Sequence, residues 1–255
     1  MMDPTTLLGS SVLTSVYYRG MYVPLRYISK YLEIFCDPAL FYSPSVPNYE
    51  LSKSGSLIRI KLNDRYFAIT TCHQIDKPEY SYEQFILSSK TDQKFITAHD
   101  VYFPEDVGQQ RDKFDCVAFE FTSSVLAGKV NDDKFLEIPS SRNKERSGDC
   151  KGLVCIGYPG HLNIINYDNQ SYAVAPNAVW GIPCEQLISD RASFKPLNQL
   201  PYAPDGMSGG PVFSLLSQSD MLTIELCGIL TNASSEAFNY LPLKDIYKLL
   251  SYATA

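Results

Sequence analysis

The strongest constraint on this chain is a succession of short apolar runs, each closed by turn-forming residues. Leu57-Ile58-Arg59-Ile60-Lys61-Leu62 alternates as a half-buried strand does. Asn63-Asp64 follows as a hairpin turn, and residues 65–71 read as the return strand. Further runs lie at 85–88, 95–98, 116–121, 153–157, 164–167, 173–179, 211–215 and 222–230, separated by Gly, Asn, Asp, Ser and Pro clusters. Many short strands without helix-length periods between them predict an all-β fold, a barrel or a sandwich.

Helical spacing is confined to the ends. Residues 12–36 place Val16, Tyr17, Met21, Leu25, Ile28, Leu32 and Phe35 at near-helical intervals, interrupted by Pro24, which predicts one or two short helices. Residues 37–50, with Pro38, Pro44 and Pro47, read as a loop. Residues 243–251 put Leu243, Ile246, Leu249 and Leu250 on one helical face. The polar segment 126–146 reads as a linker. The expected organisation is therefore an extension at 1–50, a first β unit at 51–125, the linker at 126–146, and a second β unit with a terminal helix at 147–255.

Composition narrows the function. The 255 residues carry 22 Lys plus Arg against 28 Asp plus Glu, a net charge of −6. That argues against broad binding to a nucleic-acid backbone, which needs a basic excess. No apolar run reaches membrane-spanning length, and the start, Met1-Met2-Asp3-Pro4, lacks the basic stretch of a secretory signal. Seven cysteines, an odd number with no CxxC pair, predict buried thiols in a reducing, cytoplasmic setting rather than a zinc site or a disulfide framework.

Three stretches carry possible chemistry. Asp205-Gly206-Met207-Ser208-Gly209-Gly210-Pro211-Val212 surrounds one serine with three glycines ahead of an apolar strand. Such a loop can take positive φ and turn backbone N–H groups toward an anion; equally, it can be a tight turn. Tyr66 to Gln74 is an apolar strand that ends in Thr70-Thr71-Cys72-His73, with the histidine at the strand exit. Asp115 leads the apolar strand 116–121, where it could orient an imidazole or merely cap a turn.

Together these stretches resemble the trypsin-like (chymotrypsin-fold) serine peptidase family, in its bacterial, intracellular form. Gly206 to Pro211 matches the Gly-x-Ser-Gly-Gly-Pro motif. Thr70-Thr71-Cys72-His73 stands where relatives carry the histidine motif, and Asp115 to Phe121 matches the aspartate motif. The order His73, Asp115, Ser208, at intervals of 42 and 93 residues, is that family's chain order. Residues 154–160 and 227–231 resemble two further family strands. The resemblance spans about residues 55–250 and implies two antiparallel β-barrels, with a short helical N-terminal extension and a C-terminal helix.

The resemblance also implies roles. Ser208 is the nucleophile, His73 the general base and then acid, and Asp115 the group that fixes the imidazole tautomer. The N–H groups of Gly206 and Ser208 form the oxyanion hole. Tyr202, Thr231, Asn232 and Ala233 line the substrate cleft, with the Thr231 hydroxyl on Asp115. No metal or organic cofactor is required. Departures are informative. Met207 replaces the aspartate that pairs with a freed N-terminus in digestive relatives. Gln74 replaces a disulfide cysteine. Tyr202 stands where an acidic residue would select Arg or Lys, so an apolar or small side chain is expected at the cleavage site.

The expected function is a serine endopeptidase acting on a protein or peptide, without nucleic acid or membrane. The alternative is a catalytically silent relative that binds peptides or proteins through the same groove. The first 50 residues are a cap on the first barrel, or a cover for the cleft that engages a regulatory partner protein. Cys72 and Cys116 are expected to pack behind the site, because neighbouring strand residues point to opposite faces.

Overall fold

The computed structural model describes residues 14–43, 50–77, 80–89, 95–140, 148–166, 171–218 and 221–254. The start of the chain, part of the expected 37–50 loop and the end of the expected linker lie outside them.

Where helical spacing predicted a helix near the N-terminus, the chain forms a hairpin. β1 (Ser15–Tyr18) and β2 (Met21–Pro24) pair antiparallel through Arg19 and Gly20, both at positive φ. The turn sets Val16 opposite Val23, both buried, with Tyr17 and Tyr22 paired at 5.3 Å. Helix is limited to α1 (Ile28–Leu32), flanked by single turns at 25–27 and 33–35. The expected loop is likewise corrected over 37–42, which joins Cys36 in a strand. Those residues form β3 (Cys36–Tyr42), a strand whose residues Ala39 and Phe41 are fully buried.

The first sheet continues with β4 (Leu51–Leu62) and β5 (Arg65–Thr70), joined by Asn63 and Asp64. Both turn residues have positive φ, 49° and 59°, as the tight primed hairpin turn demands. Then come α2 (Cys72–Ile75), β6 (Phe85–Ser88), β7 (Phe95–Thr97), β8 (Asp100–Tyr102) and β9 (Val117–Glu120). The strands run in the order β7-β6-β3-β4-β5-β9-β8, a curled sheet with two ends. α3 (Thr122–Leu126) and β10 (Leu136–Glu137) follow, β10 pairing parallel to β4. The stretch read as a polar linker therefore packs into the first sheet, burying Val130, Phe135 and Ile138.

The second half comprises β11 (Asp149–Gly157), a hairpin of β12 (Ile164–Asn166) and β13 (Ser171–Ala173), β14 (Asn177–Cys184), β15 (Ala192–Pro196), β16 (Pro211–Gln218), β17 (Met221–Ala233), β18 (Phe238–Pro242) and α4 (Leu243–Ala253). Six strands, β16-β11-β14-β15-β18-β17, close into a barrel through β16–β17 pairing, and β1 adds parallel to β17. The helix predicted at 243–251 is α4, buried through Ile246, Leu249 and Leu250.

Strand alternation divides the core three ways. Leu57 and Ala68 face the inside of the first sheet, and Leu153, Cys155 and Val212 face the inside of the barrel. Ile58, Ile60, Phe67 and Ile69 pack with Val154, Ile156, Phe213 and Leu215 in the seam between the halves. β4 is therefore buried on both faces rather than one. Its Arg59, only 1% exposed, is paired with Asp37. Cys36, Cys72, Cys116, Cys155 and Cys227 are buried, Cys150 is exposed, and no disulfide links the described residues. Among the described residues no helix is long and apolar enough to cross a membrane.

Candidate active site

β5 and β9 pair antiparallel with Thr70 opposite Val117, which sets the exit of one strand beside the entrance of the other. His73 stands on the short helix after β5, and Asp115 stands just before β9. The ladder thereby joins them: the His73 backbone N–H donates to Asp115 Oδ1 at 3.1 Å, and Nδ1 lies 2.7 Å from Oδ2. An acceptor at that position keeps the proton on Nδ1 and leaves Nε2 as the basic atom. The imidazole is 48% exposed and the carboxylate 13%.

Nε2 is occupied. The Gln74 side-chain amide lies 3.2 Å from it. The Ser54 hydroxyl contacts the Gln74 backbone carbonyl and, at 3.1 Å, Oε1, which turns the Nε2 end of the amide toward the imidazole. Gln74 is 6% exposed and lies against Gly55, where an added Cβ would fall 2.5 Å from Gln74 Cδ. That glycine clears the space the side chain fills.

Ser208 lies in the glycine loop between β15 and β16. Gly206 and Gly209 have φ of +87° and +85°. A Cβ on Gly209 would fall 2.0 Å from the Ser56 carbonyl oxygen, and one on Gly210 would fall 2.1 Å from that of Ile156. The glycines thus serve close backbone packing as well as positive φ. Met207, fully buried, anchors the loop in the barrel core. The N–H groups of Met207, Gly209 and Gly210 donate to Pro204, Leu230 and Met207 carbonyls. Those of Gly206 and Ser208 have no acceptor among the described residues.

His73, Asp115, Gly206, Ser208, Thr231, Asn232 and Ala233 line one cleft of about 410 Å³, together with Gln74, Asp112, Arg191 and Asp205. The Ser208 hydroxyl donates to the Thr231 carbonyl at 3.3 Å rather than to His73. Two implied placements are corrected. The Thr231 hydroxyl donates to the Asn239 carbonyl at 3.1 Å, not to Asp115. Tyr202 is not among the residues lining this cleft; its ring lies 4.1 Å from that of His161, tilted by 32°. The remaining histidine, His99, lies by Ser123 and Glu120, away from the cleft.

Several contributors escaped the sequence reading. Lys53 donates to the Tyr158 carbonyl at 2.6 Å beneath Gly206, and burial lowers its pKa to about 8. Ser56 joins the two halves at the loop. Gly55, a glycine inside a strand, was the one visible signal of a close approach there. Behind the site, burial pushes the Cys72 thiol up to about 12 and Cys116 well above its usual value. Both are consequently protonated packing residues at neutral pH.

By sequence, no protein-family model and no curated protein matches this chain. By structure, it is similar to the protein HBP, at TM-score 0.52 and 10% identity over 86% of this chain and 90% of that one. A double mutant of human heparin binding protein matches at TM-score 0.50 and 9% identity, over 86% and 91%. The closed barrel, the curled first sheet and these likenesses give the chain the two-barrel chymotrypsin-like fold.

Proposed function

We propose that this chain is a serine endopeptidase that cleaves a protein or peptide through an acyl-enzyme on Ser208. The observation that carries the reading is the His73–Asp115 pair, closed at 2.7 Å on the wall of the cleft that also holds Ser208. A serine hydroxyl is a weak nucleophile at neutral pH, so a base must take its proton during attack. His73 Nε2 is that base once the Gln74 amide moves aside and the Ser208 hydroxyl turns from Thr231. Asp115 holds the tautomer and stabilises the imidazolium. The N–H groups of Gly206 and Ser208 receive the oxyanion, a contribution of about 2.7–4 kcal/mol per donor in other enzymes. The imidazolium then protonates the leaving amine, and water repeats the sequence to release the acid.

The second reading, a silent peptide-binding relative, is favoured by one observation: Gln74 and Thr231 hold His73 and Ser208 apart in hydrogen bonds of their own. A diverse peptide library incubated with the chain and with Ser208→Ala separates the two. Cleavage products that vanish in the variant support the peptidase. Intact peptides with both proteins, together with peptide binding, support the silent module. The buried thiols Cys36, Cys72, Cys116 and Cys155 support a reducing, cytoplasmic setting.

A further inference from the structure

We infer that a basic cavity beside the candidate active site binds an acidic segment of the polypeptide substrate, resting on the peptidase reading for the word substrate. The cavity is about 660 Å³ and lies where the segment before β9, the β14–β15 connection and the start of α4 meet. Its lining includes Lys113, Arg191, Lys244 and Lys248 against the carboxylates of Asp190 and Asp245. Asp245 is already taken by Lys248 at 2.5 Å. Lys113, Arg191 and Lys244 form no ion pair among the described residues. This concentration of cations runs against the −6 of the whole chain.

Arg191 is the decisive residue. It is only 7% exposed, its backbone N–H donates to the Ile188 carbonyl, and its one side-chain hydrogen bond among the described residues is a weak one, from Nη1 to the Asp190 carbonyl at 3.4 Å. A guanidinium has five donors, and no carboxylate of the described residues lies within ion-pair distance of this one, so its remaining donors are open to the cavity. A carboxylate from outside can take a bidentate pair of them. Arg191 also lines the catalytic cleft, so the cavity and the cleft share a wall. A chain bound across Ser208 can therefore continue into the cavity.

The shape favours a polypeptide over a stiff polyanion. The cations line a concavity with apolar floor residues Phe114 and Leu241, not a broad open face. The charge pattern also changes along the path. Asp112 and Asp205 line the cleft near the reacting groups and oppose acidic residues there. The cavity favours them farther along the chain.

The test uses full-length Ser208→Ala, which cannot turn over, and fluorescence anisotropy with fluorescein-labelled hexaglutamate and hexaserine. Hexaglutamate is expected to bind about tenfold tighter or more, with affinity falling as salt is raised. Lys113→Gln combined with Lys244→Gln, both at exposed positions, is expected to remove most of that preference without changing the melting temperature. Equal binding of the two peptides overturns the inference, as does a preference that the double variant leaves intact. Tighter binding of a heparin oligosaccharide than of hexaglutamate overturns the polypeptide assignment. Fluorophosphonate labelling of the wild type is read in parallel. Hexaglutamate binding without labelling keeps the acidic-segment site and removes the peptidase; labelling without binding does the reverse.

Discussion

The backbone N–H of Ser56 donates to the carbonyl of Ser208 at 2.9 Å, tying the candidate nucleophile, in one half of the molecule, to a buried strand of the other. The same Ser56 donates its hydroxyl to the Gly206 carbonyl and accepts the Tyr158 N–H, both at 2.8 Å, while its own carbonyl accepts from Thr70. Ser56→Ala strips a partner from two backbone groups, at about 1–3 kcal/mol for each left unsatisfied. A lower melting temperature and slower peptide hydrolysis are expected together. Thermal denaturation with an unchanged midpoint would contradict the role given to this hydroxyl.

Gly209 is predicted to tolerate no side chain. Gly209→Ala combines a positive φ with a methyl 2.0 Å from the Ser56 carbonyl oxygen, so a loss of about 3 kcal/mol or more is expected. At Gly160 the nearest atom to an added Cβ is 3.7 Å away. Gly160→Ala should therefore leave stability nearly unchanged. Urea denaturation of the two variants checks the contrast; equal losses would mean that loop packing is not what these glycines serve.

Removing the Gln74 amide should free the base. A neutral hydrogen bond is worth about 0.5–1.5 kcal/mol net, and 1.4 kcal/mol is tenfold in rate, so the gain is bounded near tenfold. Gln74→Ala is expected to raise the rate of fluorophosphonate inactivation at neutral pH by roughly two- to tenfold. It should also lower the melting temperature, through the lost contacts with Ser54. A folded variant reacting no faster than the wild type would show that Gln74 does not restrain His73.

Stability should fall in alkali. Burial raises the thiol pKa of Cys36, Cys72, Cys116 and Cys155 in the native state. Unfolded thiols ionise near pH 8.5–9 while the native ones hold their protons. Above about pH 9 the unfolded chain thus binds fewer protons, and stability declines as pH rises; below about pH 8 these groups contribute no slope. Each fully distinguished thiol gives about 1.4 kcal/mol per pH unit. Lys53, lowered to about 8 by burial, acts in the opposite direction, but it is one group against four. Urea midpoints measured from neutral pH to about pH 10.5 should be level and then drop. A midpoint that stays level throughout would contradict burial of these thiols.

Much of the architecture was legible because β-structure writes itself locally. Asn63-Asp64 announces its own turn, and apolar runs bounded by Gly, Pro and Asn mark β6 in full, the later parts of β4 and β11 and the start of β16. The N-terminal hairpin was hidden because Val16 and Met21 fall near helical intervals, while the decisive signal was the Arg19-Gly20 turn. β3 was hidden by Pro38, whose missing N–H a strand can tolerate. The His73, Asp115 and Ser208 segments were recognisable in sequence because each sits at a strand end with a distinctive flank. Gln74 on Nε2, Ser56 at the seam and Arg191 between two cavities were not. Their significance lies in contacts between distant segments, and neither periodicity nor motif spacing records those.

The direct test of the central claim is reaction with a fluorophosphonate, followed by intact-mass measurement and peptide mapping. The account predicts one adduct per chain, on Ser208, with labelling lost in Ser208→Ala and strongly slowed in His73→Ala. Folded wild-type protein that takes up no adduct, or takes it up equally well without His73, would contradict it.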